Sequence, residues 1–125
     1  MPVPLVIVLD NIRSALNVGS IFRTSDTFLV DKILLCGITA CPPQKDIRKS
    51  GLGADSSVDW EYYSSTVDAV NTLIKKNYTI VTVEQTNNSN SLENIKLPKM
   101  PWNWVNIWKH CCSKCKPLTS ACCAW

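Results

Sequence analysis

An α/β fold, a parallel sheet with flanking helices, is predicted by three features of the chain. Short runs that are apolar on both faces recur at Leu5–Leu9, Ile33–Cys36 and Tyr78–Val83, as suits strands covered on both sides. Segments of helical periodicity separate them, at Val18–Leu29 and Val67–Ile74. Polar or glycine-containing loops follow the apolar runs, where open α/β sheets keep their binding crevices.

Taken in order, Leu5–Leu9 is the first strand, ended by Asp10, and the loop Asp10–Leu16 delivers Asn17 to the N-cap position of a helix. At about 100° per residue, Val18, Ile21, Phe22, Ser25, Phe28 and Leu29 fall in one arc predicted to be buried. Ser20, Arg23 and Thr27 fall opposite, so Arg23 is expected to leave the helix toward solvent near the exit edge of the sheet. Gly19 permits close approach of another backbone or of a phosphate. Asp31–Cys36 is a second buried strand, stopped by Gly37, and strand, helix and strand together imply a right-handed βαβ unit. Gln44–Ser50 is at most a helical turn. Arg48, Lys49, Gly51 and Gly53 form a basic, flexible stretch able to hold an anion.

Asp59–Tyr63 is rich in strand formers and is read as a short strand, with Trp60 and Tyr62 assigned to packing in preference to base stacking. Ser65 and Asp68 have the spacing of a capping box, and Val67, Val70, Leu73 and Ile74 follow with helical spacing. Lys75 and Lys76 complement that helix's dipole, Asn77 ends it, and Tyr78–Glu84 is another strand. Asn87–Ser91 is a polar loop.

The run Asn11-Ile-Arg13-Ser-Ala-Leu-Asn17-Val-Gly19-Ser-Ile-Phe-Arg23-Thr24 resembles the first signature of the SpoU/TrmH RNA ribose 2′-O-methyltransferases of the SPOUT class. The likeness continues more loosely through Lys49–Ala54 and Val58–Tyr62 to about Thr86. It implies methyl transfer from S-adenosylmethionine to a ribose 2′-hydroxyl of tRNA or rRNA, and a homodimer. By the resemblance Arg23 and Asn17 are the catalytic pair, Asn11 and Arg13 are expected near RNA or the second subunit, and Ser20, Arg48 and Lys49 are expected to contact RNA. A guanidinium does not give up its proton at working pH, so the expected role of Arg23 is phosphate clamping and orientation.

In the family an asparagine-glutamate strand and a serine-leucine-asparagine segment come next, threading the knot and supplying most of the S-adenosylmethionine pocket. Neither follows Pro98, so cofactor-binding residues are left unassigned. The expected organisation is an incomplete SPOUT (α/β knot) domain over residues 1–98 and an atypical tail over 99–125 outside the fold. The tail holds four of the five tryptophans, five of the seven cysteines and the single histidine. A departure from the ancestral reading frame near residue 98 is the leading account of it. Zinc on His110, Cys112 and Cys115 with Cys122 or Cys123 is another, and a nucleic-acid arm of Trp102, Trp104, Trp108, Lys109, Lys114 and Lys116 a third. An RNA-binding or dimerising remnant without catalysis is the alternative to the enzyme, and no metal is assigned to the body of the chain.

The net charge of +3 is unevenly placed: four lysines and no acid lie after residue 98, and nine Lys/Arg stand against ten Asp/Glu before it. The body is therefore not a uniformly basic clamp, and RNA contact there requires local clusters. No run of about 18 apolar residues exists, so no membrane span is expected. The start of the chain lacks a basic segment before its apolar run and is not read as a secretory signal. Reduced thiols and a cytoplasmic location are expected.

Overall fold

The computed structural model describes residues 3–83, 94 and 104–109. Five strands, β1 (Val3–Asp10), β2 (Val30–Cys36), β3 (Trp60–Tyr63), β4 (Thr79–Val83) and β5 (Trp104–Lys109), form one sheet in the order β3-β2-β1-β5-β4. Every pairing is parallel. The helices are α1 (Ala15–Thr27), α2 (Lys45–Gly51) and α3 (Thr66–Lys75), with a 3-10 turn at Ala54–Ser56. Among the described residues no helix is long and apolar enough to cross a membrane.

The central strand β1 divides its side chains between two cores. Val6 and Val8 join Leu34, Cys36 and Val105 under Ala69, Val70 and Leu73 of α3. Leu9 joins Ile33 and Leu35 under Val18 and Phe22 of α1, Ile47 of α2 and Ala54. Alternation along a strand sends neighbours to opposite faces, so a sheet covered on both sides needs apolar residues at both parities. Trp60 packs half-buried against the α1 side, and Tyr62 is 51% exposed.

Two expectations about α1 are corrected. Its N-cap is Ser14, not Asn17: the Ser14 hydroxyl accepts the N–H of Asn17 at 3.3 Å, and Asn17 lies inside the first turn. Val18, Phe22 and Ser25 are buried as the periodicity requires, but Phe28 and Leu29 are 66% and 57% exposed. The helix stops at Thr27, and Leu29 takes a positive φ of 54°, so the helical arc does not extend to either residue. The capping box at the start of α3 is likewise not formed, for Ser65 occupies the N-cap without a side-chain hydrogen bond. The segment after Pro43, expected to be a turn, makes the two-turn helix α2.

Residues 104–109 overturn the expected end of the fold near residue 98. β5 lies between β1 and β4, pairing Val6 with Val105 and Ile80 with Val105, and the Val105 side chain is fully buried. The physical reason is that β4 reaches the sheet only through β5, so a strand from the segment after residue 98 completes the pairing of β1.

Gly19 serves backbone packing. A Cβ there would lie 2.4 Å from the Ile47 carbonyl oxygen and 2.0 Å from Ser50 Oγ, and Gly51 faces Gly19 from α2. Ser50 Oγ donates to the Leu16 carbonyl at 2.7 Å across the same junction. We expect Gly19→Ala to destabilise the chain by a net of about 2 kcal/mol, about 3 from overpacking against the Ile47 carbonyl offset by about 1 of helix propensity. Urea unfolding of the two proteins checks this; equal midpoints would show that the helices separate without cost.

Candidate functional site

The chain leaves β1 toward β2 on one side and enters β5 from β4 on the other, so the sheet's switch point lies between the carboxyl ends of β1 and β5. Asp10 ends β1 there, in register with Cys36 on β2 and Lys109 on β5. It shares the parity of Val6 and Val8 and so faces α3, where the hydroxyl of Thr66 donates to Asp10 Oδ1 at 2.5 Å. Asn11 Nδ2 donates to the same oxygen at 3.1 Å. Burial pushes the neighbouring Cys36 thiol up to about 11, against the Thr66 hydroxyl, which favours the thiolate, and with the Asp10 charge, which opposes it. Cys36 is thus a neutral, buried thiol at this edge.

The loop after β1 is tied to the loop after β2. Asn11 adopts a positive φ of 54°, and its Oδ1 accepts the Ile38 N–H at 3.1 Å. Gly37 is also left-handed, at φ 66°, and a Cβ on it would fall 2.0 Å from Asn11 Oδ1, so this crossing requires glycine. Thr39 is buried; its hydroxyl accepts the Ile12 N–H at 3.1 Å and lies 2.7 Å from the Cys36 carbonyl and 3.1 Å from that of Leu9, to which its proton can be given. Tyr62 Oη donates to the Gly37 carbonyl at 2.9 Å, bringing β3 into the same edge. Asn11, expected to contact RNA, therefore has its amide engaged in holding these loops. Asp10, Thr39 and Thr66 were not legible as members of this edge, because Thr39 meets partners 27 and 30 residues away and Thr66 one that is 56 residues away.

The remaining expected site residues are all exposed: Arg13 in the loop, Asn17, Ser20 and Arg23 on α1, and Arg48 and Lys49 on α2. Asn17, Ser20 and Arg23 follow one another at intervals of three, a row winding along the outer face of α1. Ser20 Oγ turns back to the Leu16 carbonyl at 3.1 Å. Because α1 starts at the exit edge and returns beside the strands, Arg23 stands about 12 Å along the axis from Ala15. Asn17 therefore lies at that edge, whereas Arg23 is displaced from it, and the two do not converge on one pocket within the described chain. Among the described residues no hydrogen bond or ion pair engages the Arg23 guanidinium; the ion pair present joins Lys32 and Glu61 at 2.6 Å. The zinc ligands and aromatic-basic arm expected in the tail, and the polar loop Asn87–Ser91, lie outside the residues whose side chains are described.

Among the described residues the carboxyl edge spends its polar side chains on holding its own loops. Its polar atoms, Asp10 Oδ1, the Asn11 amide, the Thr39 hydroxyl and Tyr62 Oη, are hydrogen-bonded to one another or to backbone. The buried side-chain oxygens without a partner among the described residues, Ser25 Oγ and Asp55 Oδ1, belong to α1 and the 3-10 turn.

The family described as SpoU rRNA Methylase matches residues 4–111. A comparison with curated proteins found no match. Among solved structures, an rRNA methyltransferase from Sinorhizobium meliloti superimposes with a TM-score of 0.80 at 19% identity, over 96% of this chain and 46% of that one. The A. aeolicus TrmH/SpoU tRNA modifying enzyme gives 0.80 at 15% identity, over 98% and 62% of the two chains. The SpoU methyltransferase AviRb from Streptomyces viridochromogenes, in complex with AdoMet, gives 0.73 at 14% identity, over 87% and 44%. At these identities the likeness speaks for the fold, and the chain spans about half the length of the first structure, 46%.

Replacing Thr39 by Val leaves the Ile12 N–H and two strand-end carbonyls without their hydroxyl, and we expect a loss of about 1–3 kcal/mol, read as a lowered urea midpoint. The Cys36 thiol makes stability depend on alkaline pH. Its folded value, about 11, lies above its ordinary 9.0, so its contribution is complete below about pH 9 and is lost as pH rises toward 11. Cys36→Ala should flatten that decline, and an unchanged slope would assign it to other groups.

Proposed function

This chain belongs to the SpoU rRNA methylase family, and from that premise we propose that it serves ribose 2′-O-methylation of a tRNA or rRNA, binding the RNA along the exposed face of α1. The observation that carries the reading is the row Asn17, Ser20 and Arg23, a polar and cationic line on a helix anchored through Gly19 on its inner side. An exposed guanidinium with no partner among the described residues suits a phosphate, which it can grip through two parallel N–H donors. Asn17, at the exit edge, supplies an amide that can donate to and accept from a ribose hydroxyl.

A 2′-hydroxyl is a weak nucleophile, so transfer requires its orientation, removal of its proton and compensation of the adjacent phosphate charge. Arg23 contributes the last of these, together with orientation; a guanidinium is not the base. S-adenosylmethionine is the methyl donor the family uses, as the AdoMet-bound relative illustrates.

That same observation favours a second reading, an RNA-binding module without transfer. Calorimetric titration with S-adenosylmethionine separates the two: heat of binding at micromolar donor supports the enzyme, and its absence supports the module. In a transfer assay, Arg23→Ala is expected to abolish methylation while the far-ultraviolet circular dichroism spectrum stays that of the parent. A spectrum resembling the unfolded chain would make Arg23 a structural residue.

A further inference from the structure

The geometry points to a second RNA contact, on α2: Lys45, Arg48 and Lys49 form a phosphate-binding stripe for a single-stranded segment of the RNA that lies on α1. The inference rests on the RNA reading above and adds a site that the α1 row does not contain.

Lys45, Arg48 and Lys49 stand at i, i+3 and i+4, within about 100° of arc on one face of the helix. Ile47 and Gly51 are buried on the opposite face, against α1. All three cations are exposed, and none has an ion-pair or hydrogen-bond partner among the described residues, although Asp46 lies on the same helix. With Pro43 and Gln44 they line an open depression of about 520 Å³.

Like charges at this spacing repel, by roughly 0.2–0.5 kcal/mol per pair in an isolated helix. Among the described residues no carboxylate pairs with them, so the stripe is better satisfied by an external anion than by its described neighbours. A line of cations, in place of a single fork, matches a polyanion whose charges repeat, and the arginine can grip one phosphate bidentately while the lysines act as point charges on its neighbours. Gln44 places an amide beside the stripe that can donate to and accept from an accessible base edge.

The placement makes one surface of two helices. Gly19 and Gly51 lock α2 to α1, and Ser50 Oγ bonds the Leu16 carbonyl, so the stripe is held rigidly relative to the Asn17, Ser20 and Arg23 row. An RNA strand seated on that row meets α2 without any movement of the protein.

The test is fluorescence anisotropy with the whole chain, using labelled poly(U) and a labelled unmodified RNA stem-loop, over a salt series from about 50 to 200 mM. Lys45→Ala/Arg48→Ala/Lys49→Ala should weaken poly(U) binding at least tenfold at the low end of the series. It should lower the slope of log affinity against log salt by about 2, at about 0.7 per phosphate released. Lys75→Ala/Lys76→Ala, at the end of α3 on the other side of the sheet, should leave the slope as it was. A triple variant that behaves like this control overturns the α2 site and leaves the α1 reading intact, provided Arg13→Ala/Arg23→Ala still weakens binding. Equal losses in the triple variant and the α3 control would mean that only net charge is sensed, which also overturns it. No binding of either RNA by the parent chain overturns both readings together. The three side chains are exposed, so a circular dichroism spectrum identical to the parent accompanies the expected result.

Discussion

Pairing of β1 on both of its edges is the constraint on which the rest of this structure depends. β2 and β5 take up its two rows of backbone donors and acceptors, and its side chains at alternate positions seed the two cores. From Val6 onward, where both edges are paired and both faces are packed, its residues must be apolar at both parities until the strand ends. Asp10 is where that requirement lapses, and the polar edge begins with it.

From that edge outward the protein is tied together by side chains that replace missing ladder bonds. Asn11 caps the turn at Ile38, Thr39 joins the ends of β1 and β2, and Thr66 brings the start of α3 to Asp10. Asn11 and Thr39 belong to loops and Thr66 to the first turn of α3, yet each satisfies a backbone or carboxylate atom at or beside a strand end. Among the described residues the exit edge is thus held together by its own polar groups, and exposed cationic groups lie on the outer faces of α1 and α2 and in the loop before α1.

The close contact of those two helices gives the candidate surface its character. Two glycines remove the side chains that would hold the helices apart, so their inner faces are given to backbone packing and their outer faces carry Asn17, Ser20, Arg23, Lys45, Arg48 and Lys49. An arrangement of this kind presents charge along a line. It suits an extended polyanion better than a small enclosed substrate.

The sequence by itself determined the alternation of strand and helix, the burial of Val18 and Phe22 and the exposure of Arg23, because those follow from local periodicity and from the avoidance of water by apolar side chains. It also carried the family signature from Asn11 to Thr24. Tertiary structure alone decided that Ser14 caps α1, that Phe28 and Leu29 escape burial, that Gly19 meets Ile47 and that Trp104–Lys109 enters the sheet. Each of these depends on a partner distant along the chain or on where a backbone dihedral turns, and neither is written in the spacing of apolar residues. For the same reason Asp10, Thr39 and Thr66 came together only in three dimensions: hydrogen-bond partners 27 to 56 residues apart leave no periodic trace.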